Sequence, residues 1–81
     1  MSEKKAVYFI NELERDEDGG YIPCIAVEGE TGYYKTDWNW GTNVNIANQI
    51  ADEKNLTLGF TPKEAMLIVL GTMKGYPIEN Q

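Results

Sequence analysis

The chain changes from an alternating hydrophobic pattern to a helical one at about residue 42. Residues 6–14 are predicted to form a β-strand, in which successive side chains point to opposite faces. One face of this strand carries Val7, Phe9 and Leu13, and the other carries Tyr8, Ile10 and Glu12. The first half of the chain is therefore predicted to be a sheet.

Turn residues divide this half into three strands. Asp18, Gly19 and Gly20 tolerate positive φ and predict a hairpin turn before a second strand at 21–28. Pro23 cannot donate a ladder hydrogen bond, so it belongs at an edge, near the strand start or at a bulge. A second turn at 29–32 leads into a third strand at 33–37. The prediction is a three-stranded antiparallel meander.

Two helices follow. Apolar residues at helical spacing predict the first helix over 43–57, with Gly59 ending it and Phe60 folding back onto its last turn. Thr61-Pro62-Lys63-Glu64 is a capping box with proline at the first helical position. The second helix should run to about Met73, with Lys74 near its end and Gly75 as the stop. Its apolar run at 66–70 predicts the more buried helix, packed on the sheet, where a second copy could also meet it in a homodimer.

The order β-β-β-α-α is typical of an α+β fold in which two helices pack on one face of the sheet. We expect residues 1–81 to form one domain, because the chain is short. The face that bears Tyr8 and Ile10, with Tyr21 as a further candidate, would then stay open as a contact surface.

Charge and composition narrow the classes of function. The chain has 13 acidic and 7 basic residues and a net charge of −6, which disfavours direct binding of nucleic acid phosphates. The same charge favours a protein partner with a basic surface, although it also serves solubility. No apolar run has the length of a membrane span or of a signal-peptide core, and Cys24 is the single cysteine. We therefore expect a cytoplasmic protein without a disulfide.

The chemistry of catalysis is poorly represented. The sequence contains no histidine, so the usual general base and the commonest metal ligand are missing. Acidic residues at 14, 16 and 18 resemble the start of a calcium loop, but the twelfth position of such a loop would be Ile25 instead of a glutamate. We expect a chain that is not an enzyme and that uses no metal or cofactor.

Two features remain as candidates for binding. The acidic hairpin is either a solvated tip that prevents edge-to-edge association or a negative prong for arginines of a partner. The aromatic cluster lies where the sheet gives way to a helix, and one of its tryptophans could close the core while another contacts a partner. The candidate partner-binding residues are Trp38, Trp40, Tyr33, Tyr34, Lys35, Glu14, Asp16, Glu17 and Asp18.

Two resemblances rest on these segments. Residues 14–22, an acidic turn followed by Gly19-Gly20-Tyr21, resemble the first hairpin of HicB-type antitoxin domains. Residues 33–41, followed by a helix ending Leu58-Gly59-Phe60 and a capped helix ending at Met73, are similar to small uncharacterised proteins encoded in phages and prophages of Gram-positive bacteria. The second resemblance implies a phage origin and a place in the host cytoplasm.

The leading hypothesis is an acidic, non-catalytic, phage-encoded binding protein. It would inhibit a host defence or regulatory protein by occluding a surface, as anti-CRISPR proteins do. One alternative is a protein that sequesters a nucleotide signal in an aromatic pocket, where Lys35 would offset the negative charge. A second alternative is a HicB-like antitoxin.

Overall fold

A computed structural model describes residues 5–73. The elements are β1 (Ala6–Arg15), β2 (Tyr21–Val27), β3 (Tyr34–Lys35), α1 (Val44–Thr57) and α2 (Pro62–Thr72). The three strands form one antiparallel sheet in the order β1-β2-β3, and the two helices follow it. The predicted α+β arrangement is confirmed.

The β1–β2 hairpin sets the register of the sheet. Val7 lies opposite Ala26 and Phe9 lies opposite Cys24, so these residues share one face. The register shifts between Ile10 and Arg15, at the end of the strand that lies nearest the turn. Leu13 is 89% exposed. It was predicted to share a strand face with Val7 and Phe9, but the register shift interrupts the alternation of β1 before this residue.

The third strand is shorter than the predicted 33–37, and Pro23 gives a physical reason. The Thr36 N–H donates to the Pro23 carbonyl at 3.1 Å, but proline has no N–H to return the bond. The chain leaves the ladder at 37–39 and rejoins it where the Trp40 N–H donates to the Tyr21 carbonyl at 3.0 Å. Pro23 lies near the start of the central strand, which was one of its predicted positions.

Both ends of α1 are held by local hydrogen bonds, and the predicted end at Gly59 and Phe60 is confirmed. The Asn43 side chain accepts from the N–H groups of Asn45 and Ile46 and caps α1. Gly59 takes a φ of 97°, and the Phe60 N–H returns to the Asn55 carbonyl at 2.8 Å.

The start of α2 has the predicted capping box. Thr61 Oγ1 accepts from the Glu64 N–H at 3.2 Å, and the Glu64 carboxylate accepts from the Thr61 N–H at 3.0 Å. This backbone N–H lowers the pKa of Glu64, since it binds the charged form. The predicted stop at Lys74 and Gly75 lies outside the described residues.

The core beneath α2 is small. Its buried members are Val7, Ala26, Ala65 and Ile68, with Phe9, Phe60 and Val69 partly buried around them. Two of the four buried residues are alanines, because helix and sheet approach closely here. A core of this size contributes limited hydrophobic stabilisation, as expected for a short chain.

The helix α1 lies along the free edge of β1, where one buried side chain joins the two. Asn55 is 2% exposed. The Tyr8 N–H donates to Asn55 Oδ1 at 2.8 Å, and Asn55 Nδ2 donates to the Tyr8 carbonyl at 2.9 Å. The Asn55 side chain makes the two hydrogen bonds that a residue of a neighbouring strand would make. It therefore closes this part of the β1 edge, which could otherwise pair with a strand of another chain.

The second helix was expected to be the more buried one, but α1 and α2 each have three buried residues. The apolar run of α2 is buried along one stripe only. Its buried residues are Ala65, Ile68 and Thr72, whereas Met66, Leu67 and Leu70 are 56%, 60% and 56% exposed. A sheet with one long hairpin and a two-residue third strand can cover only one stripe of a helix. The rest of the apolar run therefore faces outward.

The sheet face that was expected to stay open is partly covered. Tyr8 and Ile10 are both half-buried, and Tyr21 is buried, so its expected exposure is wrong. The rings of Tyr8 and Trp40 lie 5.7 Å apart between centroids at an interplanar angle of 53°. The chain that follows β3 therefore shields part of this face.

Candidate functional site

Asp16 organises the tip of the acidic hairpin. Its Oδ1 accepts from the N–H groups of Asp18 and Gly20, each at 2.9 Å. The Gly20 N–H is the main cause of a lowered pKa of Asp16, because it stabilises the carboxylate. Asp16 thus folds the turn that presents Glu17 and Asp18, both of which are exposed.

Residues 37–39, here named the tryptophan loop, are tied to this tip by Asn39. The Asn39 side-chain amide donates to the Asp16 carboxylate, and its Oδ1 accepts from the Gly41 N–H at 3.0 Å. A Cβ on Gly20 would lie 2.5 Å from Asn39 Cγ, so only glycine permits this approach. Two segments that are distant in sequence therefore form one surface.

The two tryptophans have different environments. Trp38, in the loop, is 49% exposed. Trp40 is half-buried against Tyr8, and its backbone N–H belongs to the sheet ladder. Trp40 therefore packs within the chain, while Trp38 offers a large apolar surface to the outside.

Three further candidate residues form a polar network on the core side of the sheet. The Tyr33 hydroxyl donates to Glu14 Oε2 at 2.7 Å, and Lys35 Nζ lies 3.2 Å from Glu14 Oε1. Asn11 Nδ2 donates to the Tyr33 hydroxyl at 3.1 Å, and the Tyr33 ring meets Phe9 edge-on at 5.4 Å. The polar groups of these side chains are therefore already paired with one another by hydrogen bonds and an ion pair.

The network also shifts the pKa values of Tyr33 and Glu14. The hydrogen bond to Glu14 raises the pKa of Tyr33 to about 12, because the neutral hydroxyl is the donor. The same bond is the largest cause of a lowered pKa of Glu14, followed by contributions from Lys35. At neutral pH the tyrosine is therefore neutral and the glutamate is charged.

Tyr34 points to the other face of the sheet. It lies opposite Ile25, whereas Lys35 lies opposite Cys24, and successive strand residues face opposite ways. Tyr34 is 55% exposed and its hydroxyl donates to Glu30, which raises the pKa of Tyr34. The nine candidate residues therefore do not form one site.

The structure brings the hairpin tip and the tryptophan loop together. It places Asp16, Glu17, Asp18 and Trp38 at this end of the molecule, here named the tip surface. Asn39 was missed by the sequence analysis, although it joins the two segments. The only local signal is its position between the tryptophans, and no sequence pattern pairs it with Asp16.

Other chemistry is sparse in the described part of the chain. Within residues 5–73, no group of three histidine, cysteine, aspartate or glutamate side chains could hold a metal ion. Neither helix in that range has the length and hydrophobicity that crossing a membrane requires. Cys24 is buried, and burial raises the pKa of its thiol, which disfavours the reactive thiolate.

A groove of 370 Å³ lies between β1, α1 and α2. Its floor is apolar and includes Phe9, Ala51 and Val69, and Asp52 is its one charged lining residue. No lysine or arginine lines the groove, so it offers no cation for a phosphate.

Comparisons with known proteins give no relative for this chain: no protein-family model, curated protein or solved structure matches it significantly.

Proposed function

We propose that this chain is a non-catalytic protein-binding module that covers a basic surface of its partner with the tip surface. Trp38 would be the apolar anchor, and Glu17 and Asp18 would pair with lysine or arginine side chains around it. Such a protein inhibits by occupying a surface that its partner needs for another ligand.

The exposure of Trp38 in a tethered loop carries this proposal. A tryptophan that is 49% exposed leaves a large apolar area in water, which is costly unless a partner covers it. Asn39 holds the loop on the hairpin, so little conformational freedom remains to be lost on binding.

The charges around the anchor support a basic partner. The side chains of Glu17 and Asp18 are exposed and make no hydrogen bond or ion pair within residues 5–73. Their carboxylates are therefore available to an incoming cation. A partner that normally holds nucleic acid has a surface of this kind.

The partner class rests on the resemblance to phage-encoded proteins. On that ground we propose a host defence or regulatory protein as the target, in the manner of anti-CRISPR proteins, with binding in the host cytoplasm. The nucleotide-sequestering alternative receives less support, because Lys35 is paired with Glu14 and no lysine or arginine lines the groove between β1, α1 and α2.

Affinity capture from a lysate of the native cell, followed by quantitative mass spectrometry, tests the proposal. Trp38→Ala should weaken capture of the partner by about 2 kcal/mol or more, as for an interface hot spot. Its effect on the free energy of unfolding should stay within about 0.5 kcal/mol, because the side chain is half in water. Leu56→Ala is the matched control, since Leu56 is 54% exposed on α1.

A charge reversal tests the second half of the proposal. Glu17→Lys combined with Asp18→Lys should abolish capture of the same protein, and salt at about 1 M should weaken capture by the unmodified chain. The proposal fails if the captured proteins are the same for all variants. It also fails if capture is lost only with Trp40→Ala and in parallel with unfolding.

A further inference from the structure

The helix α2 exposes most of its larger apolar residues, which is unusual for a helix in a single domain. It buries Ala65 and Thr72 with one large residue, Ile68, while Met66, Leu67 and Leu70 are each more than half exposed. An amphipathic helix normally turns its larger apolar residues to the core. A second apolar surface that packed against Met66, Leu67 and Leu70 would bury these residues as well.

The exposed residues form one continuous face. At 100° per residue, Lys63 and Leu70 lie on nearly the same line, opposite the buried stripe of Ala65, Ile68 and Thr72. Met66 and Leu67 flank that line. We name the four residues Lys63, Met66, Leu67 and Leu70 the outer face of α2.

We propose that the outer face of α2 packs against the same face of a second copy of the chain, with the two helices antiparallel across a two-fold axis. A two-fold contact joins a patch to itself, so it must be self-complementary. The spacing of Lys63, Met66 and Leu70, with Leu67 beside Met66, is the three-and-four spacing of a helix-pairing seam.

Charge makes a second copy the fitting occupant. The chain carries a net charge of −6, so two copies repel each other at most approaches. The outer face of α2 contains no carboxylate. Glu64 is the one acidic residue of α2, and its carboxylate is held on Thr61 by hydrogen bonds. Two copies can therefore meet here without bringing acidic groups together.

The single charge on the face also fits an antiparallel pair. Lys63 lies in the first turn of its own helix, where the helix dipole disfavours a cation. When Met66 lies against Leu67 of the second copy, Lys63 lies along Leu70 of that copy and reaches its helix C-terminus, where a cation is favoured. No basic residue occupies the last turn of α2.

Gly71 leaves room for this approach. It is exposed and has ordinary helical geometry, and a Cβ there would meet nothing within 4 Å in its own chain. Glycine lowers helix stability, and no contact within the described residues requires it. In the antiparallel pair the lysine head passes over this position.

The contact is small, so the dimer should depend on concentration. Three apolar side chains per copy offer less than the roughly 800 Å² per partner of a standard stable interface. Sedimentation equilibrium from about 10 µM to about 1 mM should show a reversible monomer–dimer transition.

Two substitutions locate the interface. Leu67→Glu should raise the dissociation constant at least about tenfold, because it places one carboxylate from each copy beside the two-fold axis. Leu56→Glu introduces the same charge at an equally exposed leucine on α1 and should leave the dimer unchanged. Lys63→Glu should also weaken the dimer, although a glutamate in the first turn suits the monomeric helix better than a lysine.

Cross-linking gives a readout that does not depend on helix stability. Leu67→Cys lies beside the two-fold axis and should form a disulfide-linked dimer under mild oxidation, whereas Leu56→Cys should not. The buried Cys24 does not compete. A chain that stays monomeric up to about 1 mM overturns the proposal, as does a dimer that Leu67→Glu and Lys63→Glu leave intact. Binding of the monomer to uncharged lipid vesicles through this face would overturn it as well.

Discussion

Asn39 and Asn55 use the same amide chemistry to join distant parts of the chain, but in different surroundings. Asn39 ties the tryptophan loop to the hairpin at an exposed position. Asn55 ties α1 to the edge of β1 and is 2% exposed. Water can replace the bonds of Asn39 but not those of Asn55. The exposed bond therefore mainly sets geometry, and the buried one mainly sets stability.

The largest expected loss of stability follows from removing the buried amide of Asn55. Asn55→Ala removes the partner of both the N–H and the carbonyl of Tyr8 at a position where the asparagine is almost fully buried, so the free energy of unfolding should fall by about 3 kcal/mol. Urea denaturation followed by circular dichroism measures this loss. Asn48→Ala is the control, because Asn48 is exposed and its side chain bonds only within its own helix. Equal effects of the two substitutions would contradict the comparison.

A steric change at the exposed tie should have the next largest effect. Gly20→Ala places a methyl group within 3 Å of the Asn39 side chain, including its Cβ, so the loop must move. We expect a loss of about 1–3 kcal/mol in the free energy of unfolding. The fluorescence of Trp38, measured in a Trp40→Phe background, should change as the loop is displaced. An unchanged stability would mean that the loop yields freely and that the tie is weak.

Removing the exposed amide itself should cost less than moving the loop. Asn39→Ala deletes the bonds to Asp16 and Gly41, and both groups regain water, so the expected loss is about 1 kcal/mol or below. The consequence should be in binding, since Trp38 is then no longer held on the hairpin. A loss as large as that of Asn55→Ala would show that the exposed position is energetically closed.

The smallest expected effect is on how the free energy of unfolding depends on pH through Asp16. The folded chain lowers the pKa of Asp16 below its ordinary value of 3.8, so this group contributes stability above that value. The contribution disappears as the pH falls through the lowered, folded-state pKa. Asp16→Asn should therefore flatten the decline in the free energy of unfolding between about pH 5 and about pH 2.

A residual slope should remain in that variant, because the pKa values of Glu14 and Glu64 are lowered too. Asp52→Asn is the control for Asp16→Asn, since the Asp52 side chain makes no hydrogen bond within residues 5–73. An identical pH profile for the two variants would remove the role assigned to Asp16.

The sequence predicted the parts of this fold that depend on neighbours in the chain. The capping box at Thr61, the positive φ of Gly59 and the hairpin after Asp16 are formed by residues within a few positions of one another. Propensity and hydrogen-bond reach decide such features, so the order of strands and helices followed from them.

The candidate site was only partly accessible in this way. The acidic hairpin and the aromatic segment both stood out in the sequence. No local pattern, however, shows which of Trp38 and Trp40 is the more exposed, or which face of the sheet Tyr33 and Tyr34 each take. The side of the sheet that each one faces depends on where Pro23 interrupts the ladder and where the chain rejoins Tyr21. Asn39 and Asn55 look like any other asparagine until their distant partners are known.

The sequence by itself therefore determined which elements form and in which order, because helix caps, turns and periodicity act over a few residues. The tertiary structure alone decided which of several equivalent side chains are buried. A three-stranded sheet can cover one stripe of each helix and one side of each loop, and packing assigns that limited cover to Ala65 over Leu70 and to Trp40 over Trp38.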